Sequence, residues 1–322
     1  MQVFRQIEAV GDSLRGCAVA IGNFDGVHLG HRALLDLARE KASTRGAPAV
    51  VLTFEPHPAK VLSPDFAPLL LATPARKLER LAALGMDAAV VQRFDRDFAR
   101  NSPEDFVGRF LVDGLGARDV VVGWDFTFGK GRAGNPEVLA RLADGAFEVH
   151  TVEPVRQGGL LISSSKIREL LLEGRVEPAA QLLGEPFVLD GAIVPGRGRG
   201  RGIGFPTANV APETELVPAN GVYTVLCAVE GIEGPVGGAA NVGRKPTFGE
   251  EERTVEVHLF GGFDDLYGRR IAVAFLHRLR PEIRFASVEE LVARIGEDVR
   301  VAREQVAQWR GTAPVLPHLS NL

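Results

Sequence analysis

The stretch "AVAIGNFDGVHLGHRALLDLA" (residues 18–38) decides how the first half of this chain folds. Ala18–Ile21 is a short apolar run that reads as a buried strand. Gly22, Asn23, Phe24, Asp25 and Gly26 break it, and a helix is expected to begin near His28. A strand that passes through such a turn into a helix opens a parallel α/β unit. The helix start carries about half a positive charge and unpaired N–H groups, which suit a phosphate. His28 and His31, at i and i+3, share a helix face, so both imidazoles can address one ligand. Gly30 between them would let that ligand approach the backbone. The alternative is a glycine-rich turn that happens to carry two surface histidines.

Outward from this stretch the pattern repeats. Further strands are expected at Val50–Phe54, Ala88–Val91, Val120–Gly123 and Phe147–Val152. The helices between them carry readable ends. "TPARKLERLAALG" offers Thr73 as N-cap, Pro74 in the first turn and Gly85 beyond the end. "SPEDFVGRFL" adds a capping box through Ser102 and Asp105, and "NPEVLARLADG" repeats the device with Asn135, Pro136 and Gly145. This alternation predicts a parallel sheet covered by helices, whose ligands bind at the carboxyl ends of the strands.

From Glu185 the composition turns to glycine and valine. Strand-like runs at Val188–Val194, Val222–Val229, Thr254–Phe260 and Ile271–Leu276 follow with little room for helices. They predict a small antiparallel barrel or sandwich. A long helix closes the chain, capped by Ser287 with Glu290 completing a box, its apolar period set by Leu291, Ile295, Val299, Ala302 and Val306. Residues 172–186 read as the hinge. The expected domains are therefore 1–184 and 185–322.

At 322 residues, two domains are the soft prior. A net charge of −4 does not indicate a general affinity for nucleic acid or anionic membrane, so any basic function is local. Cys17 and Cys227 are too few and too far apart for a disulfide framework and suit a reducing cytoplasm. No leader and no membrane span are evident. Self-association is left open.

Two more stretches carry chemistry. In "ISSSKIREL" (162–170) serines precede a helix that has Lys166 and Arg168 in its first turn. Cations there oppose the helix dipole, which points to an anion compensating them. Arg168 could hold phosphate oxygens bidentately. "PGRGRGRGIGFPTANV" (195–210) reads as a flexible linker, an arginine–glycine patch for RNA, or a phosphate-wrapping loop that includes Gly202. Thr207 and Asn209 offer neutral oxygens of the kind a phosphate-bound Mg²⁺ accepts. Within Thr254–Phe260, alternation puts Glu256 and His258 on the face opposite Val255, Val257 and Leu259. Gly129-Lys130 is not a phosphate loop, because Gly131 stands where Ser or Thr is needed.

The GNFDGVHLGH and ISSSKIR segments, with "TFEPHP" (53–58) and "VGWDFTFGKGRAGN" (122–135), resemble the nucleotidylyltransferase superfamily. Within it they resemble the FMN adenylyltransferase module of bacterial bifunctional FAD synthetases. "FPTANV", "NGVY", "NVGRKPTF", "TVEVHLF", "DLYG" and "LRPEIRF" are similar, in the same order, to the riboflavin kinase module. The resemblance implies an N-terminal Rossmann-like nucleotidylyltransferase domain and a C-terminal β-barrel with a long final helix. It implies that His28, His31 and Asn23, in the loop with Gly22, Phe24 and Gly30, hold ATP phosphates. Ser164, Ser165 and Arg168 would clamp pyrophosphate, and Phe54, Pro56, Asp125, Phe126 and Phe128 would surround the flavin. Thr207 and Asn209 would bind Mg²⁺ with ATP, and Glu256 would be the catalytic base acting on riboflavin. FMN would be the intermediate and FAD the product. Pro195 and the "FGGF" at 260–263 depart from the family pattern.

Overall fold

Val19 and Ile21 turn to one face of their strand and Ala18 and Ala20 to the other, and both faces are buried. This is the signature of a parallel sheet covered on both sides. A computed structural model describes residues 1–196, 202, 204–246, 251–263 and 265–317. Two compact units make up the chain: Met1–Pro68 with Lys77–Ile162, and Leu69–Arg76 with 163–317.

The first unit runs β1 (Gln2–Arg5), β2 (Ala18–Ile21), α1 (Leu29–Arg45), β3 (Ala49–Glu55), α2 (Pro58–Leu62), then α3 (Pro74–Ala83), which begins in the second unit. It continues with β4 (Ala88–Arg93), α4 (Pro103–Phe106), β5 (Asp119–Gly123), α5 (Pro136–Ala143) and β6 (Glu148–Val152). The six strands lie in the order β1-β4-β3-β2-β5-β6, and every pairing is parallel. Strand order therefore reverses between β2 and β5, which places a ligand crevice at their carboxyl ends. β1 was not expected: it is a four-residue edge strand with only partial burial, too short to show a period.

The expected caps are present. Thr73 Oγ1 accepts from the Arg76 amide at 3.1 Å, Ser102 and Asp105 close a reciprocal box, and Asn135 Oδ1 accepts from Val138 at 2.8 Å. After α4 the helix widens into a π-helical stretch over Val107–Gly114, still burying Val107, Phe110 and Leu111. A short hairpin, β7 (Arg156–Gln157) and β8 (Leu160–Leu161), ends this unit.

In the second unit α6 (Ser164–Leu172) and α7 (Val176–Leu183) come first. Residues 172–186, read above as a hinge, are thus largely helix, with Val176, Ala179, Leu182 and Leu183 buried. There follow β9 (Phe187–Val194), β10 (Ala208–Pro212), β11 (Gly221–Val229), β12 (Val236–Pro246), β13 (Glu251–Leu259) and β14 (Arg270–Arg280). They close into a barrel in the order β10-β13-β12-β11-β14-β9, antiparallel throughout. The sequence reading missed β10 and β12. β10 follows Pro206 closely, and β12 contains three glycines, which weaken strand propensity.

Tyr223, Phe187 and Phe275 fill the interior, with Tyr223 edge-on to Phe275 at 5.2 Å. Asp190 on β9 is buried and paired with the equally buried Arg76, whose Nε reaches Asp190 Oδ2 at 3.1 Å. Last comes α8 (Val288–Gln308). Ser287 caps it, while the Glu290 carboxylate takes the Ala286 amide at 3.0 Å, one residue short of a box. Cys17 and Cys227 are buried thiols, and burial pushes Cys17 up to about 12.

Candidate active sites

The loops that follow β3, β2 and β5 leave neighbouring strands at the same carboxyl edge. TFEPHP spans the end of β3 and the loop after it, GNFDGVHLGH runs from the end of β2 into α1, and GWDFTFG starts on the last residue of β5. Sheet topology alone brings these three segments to one place.

His28 is the N-cap of α1. Its Nδ1 accepts the His31 amide at 3.2 Å, and the two rings stack with centroids 3.6 Å apart. Because Nδ1 accepts, the neutral His28 ring carries its proton on Nε2, a donor. The amides of Leu29 and Gly30 head the helix, where no carbonyl of the helix can reach them. The place above Gly30 is occupied by the His28 ring, since a Cβ there would lie 3.1 Å from its Nδ1. His31 Nδ1 is buried with no hydrogen-bond partner among the described residues. Burial, the His28 ring and Lys77 together hold the His31 imidazole well below the usual histidine range, hence neutral.

The loop before the cap is strained. Phe24 (φ 51°) and Val27 (φ 43°) occupy the left-handed region that non-glycine residues avoid, at about 1–3 kcal/mol each. Phe24 is fully buried and packs against His31 at 5.3 Å, so it supports the histidines from the core. The buried Arg80 donates to Gly26 O at 2.9 Å, and Thr53 Oγ1 donates to Asn23 O at 3.2 Å. Lys77 Nζ pairs with Glu55 at 2.6 Å and lies 3.4 Å from Thr53 Oγ1. Sequence reasoning missed Lys77 and Arg80. The signal was there: both fall on the stripe that includes Leu81 and Leu84, where cations three apart are out of place.

Of the expected flavin segment, Phe54 and Phe128 are buried, Phe126 stacks on Phe128 at 5.5 Å, and Pro56 and Asp125 are exposed. Phe54 continues into Phe94, Phe98, Phe106 and Phe110, and Phe106 meets Phe128 at 5.3 Å. The two buried phenylalanines thus belong to a larger aromatic core.

Ser164, Ser165 and Arg168 belong to the second unit, at the head of α6. Ser163 is the cap, accepting from Lys166 at 3.2 Å. Arg168 Nε donates to Leu69 O at 2.7 Å. Lys166 is paired with Glu169 at 2.6 Å, so part of the anionic compensation expected here is internal.

On the barrel, Asn209, Glu256 and Asn241 lie directly opposite one another across β10, β13 and β12. Such partners share a face. Gly196 lies under Asn209, and a Cβ there would overlap its amide. Gly243 leaves room for Glu282, whose Oε1 would be 2.5 Å from a Cβ at that position. Asn220 Nδ2 donates to the other Glu282 oxygen at 2.9 Å. Asn241, Glu282 and Asn220 were not singled out from sequence, although their segments were. Thr207 is half-buried just before β10, and Gly202 is exposed. Arg197, Arg199 and Arg201 lie outside the described residues.

One group among the described residues has metal-ligating composition: Asp119, Glu148 and His150. It sits at the amino ends of β5 and β6, away from the crevice, and Arg45 answers its charge. Burial raises Asp119, but bonds from Arg45 and His150 outweigh it and hold the carboxyl below its ordinary range.

Comparison with known proteins covers both units. The FAD synthetase family profile matches residues 11–166 and the riboflavin kinase profile residues 183–306. A bifunctional riboflavin kinase/FMN adenylyltransferase of Escherichia coli K12 is 41% identical over 290 residues, covering 90% of this chain and 92% of that protein. One from Pseudomonas fluorescens is 40% identical over 309 residues, covering 95% and 98%. A crystal structure described as a macrolide-efflux protein from Streptococcus pneumoniae aligns with a TM-score of 0.85 at 32% identity, over 96% of this chain and 100% of that one. In the present chain no described helix is long and apolar enough to cross a membrane. With both profiles in tandem and relatives matched almost end to end, the chain belongs to the bacterial bifunctional riboflavin kinase/FMN adenylyltransferase family.

Proposed function

We propose that this chain converts riboflavin and ATP to FMN and ADP, then joins FMN to AMP from a second ATP, giving FAD and pyrophosphate. Residues 185–322 perform the first step and 1–184 the second, and the partners are these small molecules, met in the cytoplasm. The observation that carries the reading is the tandem match of the two family profiles, each over one half of the chain.

In adenylyl transfer an FMN phosphate oxygen, already a nucleophile at neutral pH, attacks the α-phosphorus of ATP. The protein positions the groups and stabilises charge. His28 Nε2–H and the amides at the start of α1 bind phosphate oxygens, with the neutral His31 beside them and Asn23 in the same loop. Gly22 and Gly30 keep that loop and the His28 ring in place. Ser164, Ser165 and Arg168 hold the departing pyrophosphate. Phe54, Pro56, Asp125, Phe126 and Phe128 border the flavin.

In phosphorylation Glu256 takes the proton of the ribityl hydroxyl as that oxygen attacks the γ-phosphorus. Gly202 belongs to the loop that wraps the phosphates. Thr207 and Asn209 fit Mg²⁺, being neutral oxygen donors, and the glycine cradle under Asn209 leaves its amide room. When bound, Mg²⁺ neutralises phosphate charge.

The test is a chromatographic assay of flavins from riboflavin, ATP and Mg²⁺. Wild type should give FAD, His28→Ala should accumulate FMN, and Glu256→Ala should leave riboflavin unchanged unless FMN is supplied. FMN as the wild-type end product would assign the first unit another acceptor. No product at all would overturn the reading.

A further inference from the structure

His258 lies two residues along β13 from Glu256 and so on the same face of the strand. Its Nδ1 is 2.9 Å from the carbonyl oxygen of Pro206. A carbonyl only accepts, so Nδ1 carries the proton and donates. That carbonyl belongs to the peptide joining Pro206 to Thr207, and the described β10–β13 ladder begins one residue later, at Ala208. The imidazole thus grips the peptide that leads into Thr207 and Asn209.

The ring is itself held. Phe205 meets it edge-on at 5.6 Å and Phe260 at 6.0 Å, and Arg303 of α8 lies over Phe260 at 4.3 Å. Phe205 packs against Ala239, Val299 and Ala302, between β12 and α8. These contacts give the ring one orientation and aim its donor at one carbonyl.

We propose that His258 is a positioning residue of the phosphoryl-transfer site: by fixing the Pro206–Thr207 peptide it sets how Thr207 and Asn209 meet the phosphates of ATP. This rests on the reading of the barrel as a riboflavin kinase. No group is transferred through His258, and its role is geometric.

The experiment uses the full chain and two variants. His258→Phe keeps a ring between Phe205 and Phe260 but has no donor. His258→Asn places an amide N–H near the position of Nδ1. Riboflavin phosphorylation is measured against ATP at saturating riboflavin, together with ADP binding by calorimetry in Mg²⁺. His258→Phe should raise KM for ATP and weaken ADP binding by about three- to tenfold, with KM for riboflavin unmoved. His258→Asn should restore most of both.

Adenylylation of supplied FMN should stay at the wild-type rate in both variants. In a nitrogen-labelled histidine spectrum the wild type should show a ring held as the Nδ1–H tautomer, a signal absent from either variant. An ATP KM for His258→Phe within about twofold of wild type, or no rescue by His258→Asn, would overturn the proposal. Failure of the kinase reading looks different: the wild type itself would make no FMN, while the tautomer signal would still report the Pro206 bond.

Discussion

His28 Nδ1 accepts the amide proton of His31 at 3.2 Å, so one side chain both caps the start of the helix and fixes which ring nitrogen carries the proton. Cap and ligand donor can be separated by substitution. Asparagine is as good an N-cap but is too short to present a donor where Nε2 lies. His28→Asn should therefore unfold like wild type while FAD formation from FMN falls about 10²–10³-fold. His28→Ala should lose that rate and also about 0.5–2 kcal/mol of stability. Thermal unfolding beside the rate assay distinguishes the two.

Glu256 faces Asn209 and Asn241 across the ladder, and an amide in its place keeps the size without the base. Glu256→Gln should slow riboflavin phosphorylation about 10²–10⁴-fold and leave adenylylation of supplied FMN untouched. Parallel assays with riboflavin and with FMN as substrate check it.

A methyl at residue 196 would overlap the Asn209 amide. Gly196→Ala should therefore raise the ATP and Mg²⁺ requirement of the kinase step about tenfold or more, the usual scale for a displaced positioning group. Titration of both at fixed riboflavin reads this directly, and an unchanged requirement would refute it.

His31 stays neutral in the folded chain to a pH well below its ordinary value of 6.5. Below that value the unfolded chain takes up a proton that the folded one refuses, so stability is whole above about 6.5 and is lost as pH falls. His31→Gln removes the titration. The stability of wild type relative to His31→Gln should decline as buffer pH is lowered from about 7.5 to about 5, as followed by chemical denaturation.

Phe106 is buried and touches Phe98, Phe110 and Phe128 at centroid distances of 6.4, 5.6 and 5.3 Å. Phe106→Ala should cost about 3–5 kcal/mol in denaturant unfolding. It should also raise KM for FMN by loosening Phe128.

The elements legible in sequence were those whose ends carry local chemistry. Thr73, Ser102, Asn135 and Ser287 each cap a helix through a contact within four residues, which a sequence displays directly. β2, β3 and β5 were legible because burial on both faces makes them continuously apolar. β12 was not, because Gly237, Gly238 and Gly243 are set by neighbours distant in sequence: Val306 and Phe260 over the first, Glu282 over the last. The site residues followed the same division. His28 and His31 stand out at a helix start, but Lys77 and Arg80 matter only because α3 turns the first toward the end of β3 and the second toward the loop after β2. Asn241 becomes a neighbour of Glu256 only through strand register, which no local pattern specifies.

The Arg76–Asp190 pair has a bearing on how such chains can be recombined. Residue 76 is encoded inside the first half of the sequence, yet its side chain is buried with a β9 carboxylate. A chimera joined anywhere between the two would put together a guanidinium and an acid chosen by different parents. Module exchange within this family is therefore expected to preserve that arginine and aspartate as a couple, and a library of crossovers that mismatches them should be depleted of folded members. Where one module ends in the reading frame and where its folding information ends are different places.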